Sequence, residues 1–330
     1  MFEALFKGLA AKGHNVDVVG HFPLREKVPR YDIFSLVESN IHAKNFFGPN
    51  MPDLEELASN VSLLLVNSHF SVHMSRPTVP NFIEVAGLHI HQNYNLSKYF
   101  KMALETNLKG VIYLSFGSML LTESFPEHKL RSLFEAFRKV PYKILWKATK
   151  EKFQSNLDIP SNIQFEPWMP QLEILCHPNV KVFVSHGGMM STLEAMQCGV
   201  PVLGIPIFAD QRLNIRTSTA KGLAAYVSYD NITEESVSEA LNLLLNDSRY
   251  QSNVKQASEL FKDRPASPMD TAIYWIEYVL RHKGAPHLRT VGASLPCEEV
   301  LTAFFNVFER LPYKTLWKAS RERFPKHLKL

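Results

Sequence analysis

Three cysteines in 330 residues, Cys176, Cys198 and Cys297, form no metal-ligand pair, and bridging any two leaves one over. Cys176 and Cys198 stand among apolar neighbours, so both are expected as buried free thiols. No apolar run approaches the ~20 residues that a bilayer crossing needs. The opening MFEALFKGLAAKGHN is broken by Glu3, Lys7 and Lys12 and has no apolar core ahead of a cleavage site, so it does not read as a signal peptide. Blocks of like charge are missing too: the net charge of +4 comes from scattered Lys and Arg, which argues against nucleic acid as a partner. No GxGxxG follows a first strand with an acid about twenty residues on, which sets aside a dinucleotide-dependent dehydrogenase.

What is present is an ordinary globular composition, 45% hydrophobic and 21% charged. The length has room for about two domains. The four sequons at Asn60, Asn95, Asn231 and Asn246 would suit a lumenal protein, although such triplets also occur by chance. Strands and helices alternate through most of the chain, the pattern of an α/β fold.

The chain is organised around WMPQLEILCHPNVKVFVSHGGMMSTLEAMQCGVPVLGIPIFADQ, residues 168–211. VKVFVS reads as a buried strand and SHGGMMSTLEAM as a glycine turn running into a helix. Gly187 and Gly188 let the backbone approach a bulky group, and the helix start behind them offers unpaired N–H groups and a positive dipole end. A diphosphate is the obvious occupant. Trp168, following Pro167, presents a flat face for a base. His186 could give a charge-assisted hydrogen bond to a phosphate, and Ser191 a hydroxyl. Glu194, one turn on, could accept from both ribose hydroxyls. Asp210 and Gln211 follow the apolar run VPVLGIPIF at the C-terminal end of a strand, where open α/β sheets hold ligands, and suit sugar hydroxyls.

This ordered string resembles the signature of the UDP-glycosyltransferases: Trp-x-Pro-Gln, His-Pro, Phe-Val-x-His-Gly-Gly, Glu194 in register, Gly-Val-Pro and Pro-x-x-x-Asp-Gln, without a gap. The resemblance implies a GT-B type α/β fold of two Rossmann-like domains, with the signature in the C-terminal one. It implies that Trp168 stacks on uracil, that Gln171 and Glu194 hold the ribose, that His186 and Ser191 hold the phosphates, and that Asp210 with Gln211 holds the sugar. Gly188 belongs to the phosphate turn. SFGS resembles a second phosphate-side loop, which adds Gly117 and Ser118. Met189 and Met190 stand where many relatives carry a polar residue. UDP-sugar enters as co-substrate, UDP-glucose and UDP-glucuronic acid being the candidates, with no cofactor and no metal. The implied partner is a small lipophilic hydroxylated acceptor, and a homo-oligomer stays open.

Mapped along the chain, residues 1–78 are expected to be a partial acceptor domain, 79–289 a complete donor domain, and 290–330 a fragment that repeats 126–153. Residues 1–12 read as a helix and NVDVVG as the strand after it. In the family the base histidine precedes that helix, so here it would precede Met1, and much of the acceptor domain is expected to be missing. Relatives in animals usually sit in the endoplasmic reticulum membrane, facing the lumen. Without a recognisable signal peptide or anchor this chain is expected to be soluble or of unassigned location. In the tail, Phe305, Phe308, Pro312, Tyr313 and Trp317 repeat Phe134, Phe137, Pro141, Tyr142 and Trp146 in register.

The family reaction has a histidine base deprotonate an acceptor hydroxyl, which attacks the anomeric carbon in line and inverts it. The catalytic base is therefore unassigned in this sequence. His21 and His69, each at a strand end, are weak candidates; His14 reads as a solvated turn residue and His177 as structural. The expected function is a UDP-glycosyltransferase, the alternative a non-catalytic relative that binds UDP-sugar without turnover.

Overall fold

Runs of Val, Ile, Leu and Phe bounded by glycine, proline and serine become a parallel sheet in the computed structural model of the chain, which describes residues 11–12, 36–73, 75, 77–91, 94–107 and 109–290. The strands are β3 (Val111–Ser115), β4 (Lys143–Lys147), β5 (Ile163–Glu166), β6 (Val180–Ser185), β7 (Val202–Gly204) and β8 (Ala224–Tyr226). Their spatial order is β5-β4-β3-β6-β7-β8, and every pairing is parallel. That is the doubly wound order, in which the chain works outward from β3 and then restarts on its other side at β6. The C-terminal ends of β3 and β6 therefore flank the switch point where such sheets open a crevice.

Helices cover both faces, so the central strands are apolar on both sides rather than alternating with polar residues. Ile112, Leu114, Ile144, Trp146, Val182 and Val184 face a core shared with Leu130, Phe134 and Phe137 of α4 (Glu127–Arg138). Val111, Tyr113, Leu145 and Phe183 face a second core, built with Leu104 of α3 (Lys98–Glu105), Ile174 of α5 (Gln171–Leu175), Ala195 of α6 (Met189–Cys198) and Ile215 of α7 (Gln211–Ala220). The buried Trp146 indole donates to Thr122 Oγ1 at 2.8 Å, so its one polar atom is satisfied.

The remaining helices of this region are α8 (Glu234–Asn246), α9 (Ser248–Lys262) and α10 (Pro268–Arg281). Thr233 caps α8 in a reciprocal capping box with Ser236. α6 ends on Gly199 in the left-handed conformation, φ 64°.

The described residues fall into two compact units, one drawn from those within 11–12, 65–77 and 84–273, the other from those within 36–64, 78–83 and 274–290. In the second unit α1 (Leu36–Phe47) precedes α2 (Leu54–Ser59), with Lys44 paired to Asp53 at 2.6 Å. Arg289 donates to the Asn60 carbonyl at 2.7 Å within the same unit. A separate two-stranded sheet joins β1 (Leu64–Val66) to β2 (Phe82–Glu84). The predicted strand at residues 15–20, most of the predicted helix at 1–12, His14, His21 and the repeated tail after residue 290 lie outside the described residues. Among the described residues no helix is long and apolar enough to cross a membrane.

Two expectations need correction. Cys176 and Cys198 are not free thiols: they form a disulfide, with Cα atoms 4.6 Å apart, because the ends of α5 and α6 converge beneath the sheet. The apolar run 200–208 is not one long strand either. β7 stops at Gly204, since Pro201 and Pro206 on either side supply no N–H to a ladder.

Candidate active site

Two adjacent strands end in the same device. Ser115 and Ser185 are register partners on β3 and β6, and both are buried. Each turns its Oγ onto the backbone N–H two residues on, at Gly117 (3.4 Å) and Gly187 (3.2 Å). Both glycines are left-handed, φ 76° and 83°, where a side chain is strained. The residue between serine and glycine is Phe116 in one turn and His186 in the other, with ring centroids 6.3 Å apart. The turn after β6 runs directly into α6, whose N-cap Gly188 supplies no side chain to the first N–H groups. Those donors and the positive end of the helix are left for an anion.

Packing explains why glycine is required here. A Cβ on Gly187, or on Gly204 at the end of β7, would overlap the Ile215 side chain, and a Cβ on Gly188 would lie 2.6 Å from His186 Nε2. Ile215 is fully buried, so it anchors α7 against both strand ends. From the same helix, the Asn214 amide donates to the Gly187 carbonyl at 3.0 Å and to Asp210 Oδ2 at 2.7 Å. Asp210 itself is exposed and follows Ala209 in the left-handed region, φ 52°.

His186 is largely buried, and its Nδ1 has no hydrogen-bond partner. Burial holds its pKa below the usual histidine value; the Asp210 charge opposes this and the Lys147 charge adds to it. The imidazole is accordingly neutral near pH 7, and a neutral ring can still donate to an ionised phosphate. An arriving diphosphate would draw the proton back.

Trp168 is 71% exposed, a large apolar surface left open beside the strand ends. Lys147, the last residue of β4, places its ammonium 4.5 Å from the indole centroid and donates to the Gly117 carbonyl at 3.0 Å. It is a cation at the heart of the site that the sequence reading missed. Its signal was its place at a strand's C-terminal end, the same logic that picked out His186.

On α6, Ser191 and Glu194 share one partner. Gln171 Nε2 donates to Glu194 Oε2 at 2.6 Å and to Ser191 Oγ at 3.1 Å, and its carbonyl accepts from the buried Tyr113 hydroxyl at 3.4 Å. Ser118 is exposed at the rim of the β3 turn. Gln211 is buried, with its amide oxygen accepting from the N–H groups of Ile207 and Phe208 at 2.9 and 3.1 Å. Its carbonyl is thus spent on shaping the loop, and only its NH2 end is left for a ligand.

The structure gathers Gly117, Trp168, His186, Gly188 and Asp210 through direct contacts with Lys147, His186 and Asn214, and Gln171, Ser191 and Glu194 through one hydrogen-bonded cluster. It does not bring His69 into that group. His69 is buried, with Nδ1 2.7 Å from Ser71 Oγ and an edge contact to Phe261. Burial, then the charges of Arg264, His73 and Lys221, lower its pKa to about 4, which suits packing rather than proton abstraction. His177 Nδ1 accepts from the Asn179 N–H at 3.3 Å, a structural role. Among the described residues no cluster of His, Cys, Asp or Glu could hold a metal ion.

A doubly wound parallel sheet with helices on both faces defines a domain of the Rossmann-like class. Comparison with solved structures agrees on GT-B architecture. The glycotransferase of kitacinnamycin superposes with a TM-score of 0.58 at 20% identity, covering 74% of this chain and 61% of that one. A UDP-glucose: anthocyanidin 3-O-glucosyltransferase, solved with UDP, gives 0.50 at 21% identity over 60% and 48%.

The profile of the UDP-glucoronosyl and UDP-glucosyl transferase family matches residues 36–299, and the chain belongs to that family. UDP-glucosyltransferase 2 of Dactylopius coccus is 43% identical over 78% of this chain and 49% of its own length. UDP-glycosyltransferase UGT5 of the same insect is 40% identical over 91% and 53%. UDP-glucuronosyltransferase 2B14 of Oryctolagus cuniculus is 35% identical over 73% and 44%. The chain thus spans about half the length of the curated relatives it matches.

Proposed function

We propose that this chain binds a UDP-sugar at the C-terminal ends of β3 and β6 and belongs to a transferase that moves the hexose to a hydroxyl of a small lipophilic acceptor. The observation that carries this reading is the paired Ser-x-Gly turns at the switch point, where an uncapped helix start, Lys147 and His186 stand at neighbouring strand ends. The uracil stacks on the exposed Trp168 face, Glu194 and Gln171 take the ribose, and the α6 N–H groups, Ser191, His186 and Lys147 hold the diphosphate. Asp210 and the NH2 end of Gln211 reach the sugar.

In the reaction the acceptor oxygen forms a bond to the anomeric carbon as the bond from that carbon to the diphosphate oxygen breaks. The electron pair stays with UDP, and the acceptor proton passes to a base that no described residue is assigned. The chain's own part is to stabilise the leaving diphosphate by charge and pre-aimed donors, which lowers the barrier without requiring a metal. In-line attack inverts the anomeric centre.

Calorimetric titration of UDP and UDP-glucose tests the binding half. Micromolar to sub-millimolar binding that is lost in an H186A/E194A double variant is the expected result. No binding at millimolar nucleotide, or binding unchanged in that variant, refutes it. Transfer is tested separately, by product detection with a panel of phenols and steroids and by the anomeric configuration of any product.

A further inference from the structure

His89 is a residue that none of the roles above uses. It lies in the segment Gly87–Ile90, after the left-handed Gly87 (φ 96°), and its side chain is only 9% exposed. Its Nε2 is 3.3 Å from Glu194 Oε1, and neither ring nitrogen has any hydrogen bond of good geometry. A buried imidazole with both nitrogens otherwise unpartnered is costly unless it serves a neighbour, and among the described residues the Glu194 carboxylate lies beside it. Gln171 takes the other carboxylate oxygen at 2.6 Å. Glu194 is therefore flanked on both sides, by the His89 ring 3.3 Å from Oε1 and by the Gln171 amide hydrogen-bonded to Oε2.

The count of acceptor sites gives this clamp a meaning. An ionised carboxylate offers about four lone-pair positions. Gln171 takes one and the His89 ring stands against a second, which leaves two open, the number of vicinal hydroxyls on a nucleotide ribose. Fixing the carboxylate before the ligand arrives removes a freely rotating side chain from the cost of binding.

We propose that His89 is a positioning residue for nucleotide selection: through Nε2 it locks the Glu194 carboxylate in the orientation that accepts both ribose hydroxyls, making the site prefer ribonucleoside diphosphates over deoxy forms. The inference rests on the reading that Glu194 holds the ribose. His89 acts through Glu194 and makes no contact with reacting atoms.

The test is titration of UDP and of 2′,3′-dideoxy-UDP into the full chain. The wild type should bind UDP at least about tenfold more tightly than the dideoxy analogue. His89→Ala should shrink that ratio to under about threefold by weakening UDP alone, while dideoxy-UDP affinity stays within about twofold. His89→Gln, which keeps a donor, should restore most of the ratio. In a Glu194→Ala background the His89 substitution should no longer matter. His89→Phe, which keeps the ring volume without nitrogens, serves should the alanine variant not fold, and it should lose the preference as well.

A ratio unchanged in the folded His89 variants overturns the proposal. So does equal weakening of both nucleotides, which would mark His89 as merely structural. A wild type that binds UDP but does not distinguish it from the dideoxy form overturns the assignment of Glu194 itself, a different failure that is visible before any variant is made.

Discussion

The turns after β3 and β6 share backbone, register and the glycine N–H to serine Oγ hydrogen bond, yet only one of them carries a titratable side chain between serine and glycine. Phe116 in the first is buried and belongs to the core; His186 in the second holds a buried nitrogen with no hydrogen-bond partner. The surroundings differ as well. α6, which follows the second turn, is pinned by Ile215 behind Gly187 and by the disulfide at Cys198. The first turn leads through an exposed loop at Ser118 and Met119 before α4 begins. One geometry is repeated at the switch point, and the residue between serine and glycine decides which side offers a polar group.

The sharpest way to break the comparison is to put alanine into each glycine. Gly187→Ala combines a left-handed backbone with overlap on Ile215 and should cost about 3 to 4 kcal/mol, read as a lowered Tm or a loss of soluble protein. Gly117→Ala meets only His186, at 3.1 Å, and should cost about 1 to 2 kcal/mol by the same measurement. Equal losses would show that Ile215 does not distinguish the two turns.

Next in size is the staple. Cys176→Ser with Cys198→Ser, or reduction with dithiothreitol, opens a loop with a sequence separation of 22 and should lower stability by about 3 kcal/mol. UDP affinity should fall with it, because Gln171 and Glu194 sit on the two stapled helices. Unaltered melting under reduction would show that the bond is not formed in solution.

His186→Phe makes the second turn a chemical copy of the first. UDP-glucose affinity should fall by about tenfold with little change in Tm. The wild type should also bind UDP-glucose more tightly as pH drops from 8 towards 6, since the bound diphosphate raises the depressed His186 pKa and binding takes up a proton. The phenylalanine variant should lose that slope. A retained slope would move the titrating group elsewhere.

The smallest effect concerns stability without ligand. His69, lowered to about 4, and His186, lowered in direction, bind protons more readily when unfolded. Their contribution is fully present above pH 6.5 and is lost as pH falls from there towards 4. Thermal melts from pH 7 to pH 4.5 should show falling Tm, with a shallower slope in His69→Gln than in the wild type.

Much of this was legible in the sequence. The strands β3, β4, β5 and β6 are apolar runs bounded by turn residues, and the Thr233 cap and the glycine turns follow from residue chemistry over a few positions. The group His186, Gly188, Ser191 and Glu194 could be read together because it lies on one short strand-turn-helix passage, from β6 into α6. Lys147 and His89 escaped the reading because their meaning depends on partners 21 and 105 residues away, Trp168 and Glu194 respectively. The two thiols escaped it for the same reason, since two helix ends must converge before a bond can form. Gln211 was seen, but not that its carbonyl is consumed by its own loop.

By itself the sequence determined which segments are strands, where the turns fall and which side chains stand at strand ends, because those depend on local backbone preference and on the period of apolar residues. Only the tertiary structure decided which strand ends meet. It placed β3 beside β6, brought Lys147 over Trp168, joined Cys176 to Cys198 and set His89 against Glu194. The reason is physical: burial of both faces of a parallel sheet fixes the order of its strands, and that order, rather than any local preference, sets the distances on which charge and hydrogen bonding depend.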